Sequence, residues 1–264
     1  MKCKIAAITI ILLFLFCSPV FLLDKNRSYP KFDTINTADG PVKVYNIQTA
    51  GSHMYLVECK GGLFVIDAGW PGYESKVLRI MKTIGRNDLK MIIITHGHFD
   101  HYASAAALRR LTGAKVAIYK DDADAMARGK TPLKKIRSWG WIGWVFLPLG
   151  EHAMRVKPVK ADILFNDGDR LDKYGIKGYI LHTPGHTPGS CSIIIEDSIA
   201  FVGDLITMTS HPCSQFIYAF DWYQIAKSID KIKKIGPVYT YSGHGDRYIK
   251  KDEVLNLKPY LPSK

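Results

Sequence analysis

The chain has 264 residues, 47% of them hydrophobic and 23% charged, with 22 Gly and 13 Pro, which excludes disordered, collagen-like and coiled-coil classes and allows a sizeable core without disulfide or metal staples. Lys and Arg outnumber Asp and Glu by 36 to 24 for a formal charge of +12; no compact basic block concentrates the excess, so it reads as a solvated surface and not as a specific nucleic-acid site. The five cysteines (Cys3, Cys17, Cys59, Cys191 and Cys213) are odd in number and widely spaced, with no CxxC pair, and imply no disulfide framework.

Lys2 and Lys4 precede an uncharged, mostly apolar run from Ile5 to Leu23, 19 residues long and near the roughly 20 that span a bilayer. Residues 1–23 therefore read as a signal peptide or membrane anchor, with the two lysines cytoplasmic and the body extracytoplasmic, secreted or anchored by residues 5–23. Phe16-Cys17-Ser18-Pro19 lacks the small residues of a cleavage site, so removal and retention both stay open. Bulky Leu15 and Phe16 before Cys17 argue against lipidation. Residues 24–43, with Pro30, Asp39-Gly40 and Pro41, read as a linker into one domain over 44–264.

Within that domain, residues 53–58 and 63–67 are β-rich runs joined by Cys59-Lys-Gly-Gly, a hairpin signal. Val77, Leu78, Met81 and Ile84 recur at helical spacing over about 72–85, and Gly85 stops the helix. Met91–Thr95 is a continuously apolar strand, and Tyr102–Leu111 a helix ended by Gly113. Residues 119–160 read as an insertion, polar over Asp121–Lys135 and then carrying Trp139, Trp141 and Trp144. Those tryptophans suit core cover, a pocket wall or a membrane contact.

The order then returns: strands at Gly178–Leu181, Ser192–Ile195 and Ile199–Val202, and a helix over about 221–235. Val65-Ile66-Asp67 and Phe201-Val202-Gly203-Asp204 both end an apolar strand at an Asp. Two related halves of this kind imply two β-sheets face to face with helices outside, an α/β sandwich.

The strongest local signal is Thr95-His96-Gly97-His98-Phe99-Asp100-His101, where a buried strand gives way to a helix. His96 and His98, two apart in extended chain, point to one side. Four potential ligands in six residues suit a divalent metal of the zinc type. Three more candidates stand at element ends: His186 in Thr-Pro-Gly-His-Thr-Pro-Gly-Ser190, Asp204, and His244 in Ser-Gly-His-Gly. Gly and Pro around the histidines imply tight loops that converge on one sheet edge.

With these residues in hand, the sequence resembles the metallo-β-lactamase-fold hydrolase superfamily over about residues 44–250, with all seven ligand positions filled. The resemblance implies an αββα sandwich of two mixed sheets flanked by helices. It implies one metal on His96, His98 and His186, a second on Asp100, His101 and His244, and Asp204 bridging them. Asp100 is further implied to be catalytic, orienting a hydroxide shared by two Zn2+ ions, with iron or manganese as alternatives. Asp67 is read as loop support. His53, His152, His182 and His211 are not assigned as ligands, and Cys191 and Cys213 are read as buried thiols.

The activity implied is a dinuclear zinc hydrolase acting on a small-molecule ester, lactone, thioester or phosphodiester. Asp204, absent at this place from typical β-lactamases, argues against antibiotic hydrolysis. Only 20 residues follow His244, too few for the helical extension of glyoxalase II. A mononuclear iron sulfur-dioxygenase of the same fold, and a non-enzymatic surface-binding protein, are the alternatives. No nucleic-acid-binding module is visible, membrane contact rests on the anchor, and the sequence leaves oligomeric state open.

Overall fold

The computed structural model describes residues 32–132, 135–136, 151–152, 156–208, 210–245 and 247–261. The leader and the Trp139–Trp144 segment lie outside them. Among the described residues no helix is long and apolar enough to cross a membrane.

In chain order the elements are β1 (Phe32–Thr37), β2 (Gly40–Gln48), β3 (His53–Cys59), β4 (Gly62–Ile66), α1 (Glu74–Thr83), β5 (Leu89–Ile94), α2 (Phe99–Tyr102), α3 (Ala105–Thr112), β6 (Lys115–Tyr119), α4 (Ala123–Arg128), β7 (Lys135–Ile136) and β8 (Ile163–Phe165). There follow β9 (Gly178–His182), β10 (Cys191–Ile195), β11 (Ile199–Phe201), β12 (Ile206–Met208), β13 (Pro212–Ser214), β14 (Tyr218–Ala219), α5 (Trp222–Ile235), β15 (Tyr239–Tyr241), β16 (Ile249–Lys250) and α6 (Lys251–Asn256).

One sheet runs β1-β2-β3-β4-β5-β6-β8 and the other β16-β15-β11-β10-β9. Both are mixed: β1 to β4 pair antiparallel and β4-β5-β6-β8 parallel, while β11-β15 is the parallel pair of the second sheet. Three apolar layers result. Phe64, Ile66 and Ile93 meet Ile193, Phe201 and Tyr241 between the sheets. Val65, Ile92 and Ile94 face Val77, Ile80 and Leu108 of α1 and α3. Ile194, Ala200 and Val202 face Ile225, Ile229 and Ile232 of α5. Covering both faces is why β4, Met91–Ile94 of β5 and Ile193–Ile195 of β10 are apolar without alternation, and the expected αββα sandwich is the fold observed.

Three sequence expectations change. The linker expected over 24–43 is sheet from Phe32 onward: Thr37 pairs with Gly40 across a two-residue turn, and β1 lies on β2 through six residue pairs. Gly40, at φ 120°, follows that turn and opens β2, so the Asp39-Gly40-Pro41 run marked a hairpin. Glu196 then accepts hydrogen bonds from Thr37 Oγ1, Ala38 N and Asp39 N, and Asp33 accepts one from Tyr241 Oη, which ties this hairpin to the other sheet.

The helix expected over 102–111 is two, α2 and α3. The His101 carbonyl accepts from Ala68 N at 2.5 Å, which diverts it from the helical ladder, and Ser104 Oγ donates to the Trp70 carbonyl at 2.5 Å. Gly113, left-handed at φ 76°, ends α3 as expected. Likewise the insertion expected from 119 starts inside the fold, since Tyr119 closes β6 and α4 follows at once.

Candidate metal centre

Four loops leave the sheets at one edge. Thr95–His98 follows β5, the 183–190 loop joins β9 to β10, Asp204 follows β11, and Ser242-Gly243-His244 follows β15. Backbone bonds stitch them together across the sandwich: Cys191 N to Thr95 O at 3.0 Å, His53 N to Gly243 O at 2.8 Å, and Gly243 N to Gly203 O at 2.8 Å. Glycine permits the closest approach, for a Cβ on Gly243 would overlap Asp204 Oδ1 and stand 2.7 Å from His101 Cε1.

All seven candidate residues meet at this edge, in two groups whose donor atoms lie within 4.8 Å of one another: His96, His98, His186 and Asp204, and then Asp100, His101 and His244. Asp204 faces both. Its Oδ2 lies 3.4 Å from His186 Nε2 and 3.1 Å from His244 Nε2, and its Oδ1 lies 3.4 Å from His101 Nε2. His101 Nε2 is 3.5 Å and His244 Nε2 3.7 Å from Asp100 Oδ2. The first group and His101 are buried, whereas Asp100 and His244 keep 17% and 25% of their side chains exposed. Small molecules therefore reach the centre from the Asp100/His244 side.

The outer nitrogen of each histidine is engaged. His101 Nδ1 donates to Asp67 Oδ2 at 2.9 Å, His186 Nδ1 to Tyr218 O at 2.9 Å, and His244 Nδ1 to Gly51 O at 2.6 Å. His96 Nδ1 lies 3.0 Å from Thr95 Oγ1. His98 is reversed: Nε2 donates to Pro132 O at 3.0 Å, and Nδ1 turns inward. Each carbonyl can only accept, so the bonds fix the tautomers and leave the inward nitrogens of His98, His186 and His244 as lone pairs when neutral.

Those inward atoms fit a divalent cation. His98 Nδ1 and His186 Nε2 stand 3.0 Å apart, two lone pairs facing each other, an arrangement that a cation between them makes favourable. His96 Nε2, His101 Nε2 and Asp204 Oδ1 are buried with no hydrogen-bond partner among the described residues; the His101–Asp204 approach is an ion-pair distance without hydrogen-bond geometry. Buried polar atoms rarely go unpaired, and imidazole with carboxylate is a zinc- or iron-type donor set.

Protonation follows the environment. Burial, with the neighbouring imidazoles, holds His96 and His98 well below the usual 6.5, and burial lowers His186 as well. For His101 burial also opposes the charge, but Asp100, Asp204 and Asp67 outweigh it and raise the pKa to about 10. His244 is likewise raised to about 9 by Asp204 and Asp100 against its burial. Burial would lift the Asp204 carboxyl, yet His244 and His101 hold it well below the carboxylate range.

Asp67 supports the loop in full: Oδ1 accepts from Thr95 N at 2.8 Å, and Oδ2 from Thr95 Oγ1 and His101 Nδ1, both at 2.9 Å. His182 stacks on Tyr119 at 4.1 Å and donates to Pro188 O, and His211 is exposed beside Ser210; neither joins the centre. Cys191 is buried, as expected, but Cys213 is only half-buried, because β12-β13 is a separate two-stranded ribbon. Sequence reasoning missed Asp122, a buried carboxylate that accepts from Gly97 N, Thr187 Oγ1 and Gly189 N. An Asp in Lys-Asp-Asp-Ala looks like any exposed helix start, so no local signal marked it.

The family model of the metallo-beta-lactamase superfamily matches residues 48–244. The chain is 30% identical over 149 residues to the hydroxyacylglutathione hydrolase GloC of Haemophilus influenzae, covering 54% of this chain and 60% of that protein. It is 35% identical over 120 residues to a beta-lactamase hydrolase-like protein of Xylella fastidiosa, covering 46% of this chain and 24% of that one. It thus spans less than two thirds of the length of either relative. Among solved structures, TTHA1623 in a di-iron-bound form superposes with a TM-score of 0.62 at 23% identity, covering 83% of this chain and 99% of that one. BJP-1, a subclass B3 metallo-beta-lactamase of Bradyrhizobium japonicum, superposes with a TM-score of 0.59 at 21% identity, covering 80% and 85%. Likeness at this identity speaks to the fold.

Proposed function

This chain belongs to the metallo-beta-lactamase superfamily, and from that premise we propose that it is a dinuclear, zinc-dependent hydrolase of a small-molecule ester, lactone, thioester or phosphodiester. One observation carries the reading: seven donors meet at one sheet edge in two groups that share Asp204, with unpaired donor atoms turned inward. Among the substrate classes a thioester stands first, because the Haemophilus relative is a hydroxyacylglutathione hydrolase.

His96, His98 and His186 would hold one ion, Asp100, His101 and His244 the other, and Asp204 both. Two such ions supply a water of lowered pKa and polarise the carbonyl or phosphoryl oxygen. The chain's own part is orientation and proton handling. Bonds to Asp67, Tyr218, Gly51 and Pro132 aim the imidazoles, and neutral His96, His98 and His186 are ready to ligate at neutral pH. Asp100 is the acidic side chain of the centre on its accessible side, where its Oδ atoms can orient water and accept a proton. The Asp100/His101/His244 group favours two metals over the single iron of a sulfur-dioxygenase, while the di-iron relative keeps iron as a competitor for zinc. We also propose that residues 1–23 export or anchor the chain, which places this chemistry outside the cytoplasm.

The test is hydrolysis of matched thioester, lactone, phosphodiester and β-lactam substrates by the zinc-loaded full chain, with and without chelator. The expected result is chelator-sensitive turnover of one class, the thioester first, at about two metals per chain. One iron per chain with oxygen uptake and no hydrolysis would overturn the reading.

A further inference from the structure

We infer that Asp122 is the positioning residue of the first metal site: it clamps together the two loops that carry His96, His98 and His186, and leaves the second site untouched. The inference rests on the two-metal reading above. Asp122 is 1% exposed. Its Oδ2 accepts from Gly97 N at 2.8 Å and Thr187 Oγ1 at 2.6 Å, and its Oδ1 from Gly189 N at 2.8 Å. Gly97 lies between His96 and His98 on the loop after β5, in the first sheet. Thr187 follows His186 on the loop between β9 and β10, in the second sheet. A single carboxylate therefore bridges the sandwich at the point where the two halves of one donor set meet.

Three observations make the bridge specific. Asp122 occupies the residue before α4 but its side chain makes no cap bond to that helix, so the carboxylate is withheld from the role an Asp usually plays there. Gly189 approaches so closely that a Cβ would stand 2.6 Å from Asp122 Cγ. The third is the 3.0 Å between His98 Nδ1 and His186 Nε2. Two facing lone pairs repel before a cation arrives, so some other contact must hold the loops at that spacing, and charge-assisted bonds to a carboxylate are strong enough to do so. None of the hydrogen bonds described for the Asp122 side chain reaches Asp100, His101 or His244.

The test uses the full chain, zinc-loaded and labelled with 15N in its histidines, as a chelator is titrated in. The ring-nitrogen resonances of His98 and His186 report the first site, and those of His101 and His244 the second. Asp122→Asn keeps the volume but sets an amide N–H against a donor. In this variant His98 and His186 should lose zinc at about 10- to 100-fold lower chelator strength, the usual range for an outer partner of a metal ligand. His101 and His244 should release theirs as in the wild type. Thr187→Val removes one of the three bonds at nearly constant volume and should shift the same pair in the same direction by less. Equal weakening of both pairs, or no shift in either variant, would overturn the clamp while the wild type still binds two ions. A wild type whose histidines take up no metal would overturn the two-metal reading, and the clamp with it.

Discussion

Asp67→Asn isolates how one remote carboxylate sets the tautomer of a ligand. Asp67 is left-handed at φ 57°, a conformation Asn tolerates as well as Asp, so the backbone is spared. If the Asn oxygen keeps the Thr95 N–H bond, now 2.8 Å to Oδ1, the amide NH2 faces Thr95 Oγ1 and His101 Nδ1, which lie 2.9 Å from Oδ2. Thr95 can turn its hydroxyl and accept. His101 can accept only by moving its proton from Nδ1 to Nε2, the buried atom turned toward Asp100 and Asp204. That proton blocks the ligand lone pair. Hydrogen bonds to charged groups contribute about 1.5–3 kcal/mol, so on the two-metal reading proposed above, zinc affinity at the Asp100/His101/His244 site should fall about 10- to 150-fold at 1.36 kcal/mol per decade. Chelator competition gives the affinity and the 15N shifts of His101 give the tautomer. Wild-type affinity with Nδ1 still protonated would refute the reasoning.

Three further outcomes are expected. Gly243→Ala pushes a methyl against Asp204 Oδ1 and His101 Cε1; it should cost about 1–3 kcal/mol of stability and lower metal content measured by elemental analysis, and full occupancy would contradict the packing. His53 is buried, with His244 and His101 adding to the burial effect, and is depressed from 6.5 to about 4. A depressed imidazole leaves stability intact above 6.5 and removes it as pH falls toward about 4, by about 3 kcal/mol at most; urea midpoints over that range for wild type and His53→Gln should converge at low pH, and parallel curves would exclude His53 as the cause. Removing metal should lower Tm, since an ion that binds the folded chain alone stabilises it by mass action; a chelator-independent Tm in calorimetry would contradict the centre.

Much of the centre was legible because metal chemistry restricts residue types. Only His and a few others ligate through nitrogen or oxygen, and His96-Gly-His98 with Asp100-His101 concentrates them where an apolar strand ends. The sandwich was legible for a related reason: β4 and Met91–Ile94 of β5 are continuously apolar because both faces are covered. The β1-β2 hairpin was less so. Its strands alternate, and the Asp39-Gly40-Pro41 turn carries the composition of a linker. The split between α2 and α3 depends on the Ala68 N–H reaching the His101 carbonyl, a contact 33 residues apart in sequence that helical periodicity does not register.

By itself, then, the sequence determined the candidate donors, their order and the layers that carry them, since each depends on residue type and short-range spacing. Tertiary structure decided which nitrogen of each histidine points inward, because the partners that fix it are Gly51, Pro132, Tyr218 and Asp67, remote in the chain from all or most of the ligands they aim. It also decided the role of Asp122, whose charge reads as solvated until the loops of two sheets close around it. Hydrogen bonds are set by where the folded chain brings an acceptor, and short-range sequence carries no record of that distance.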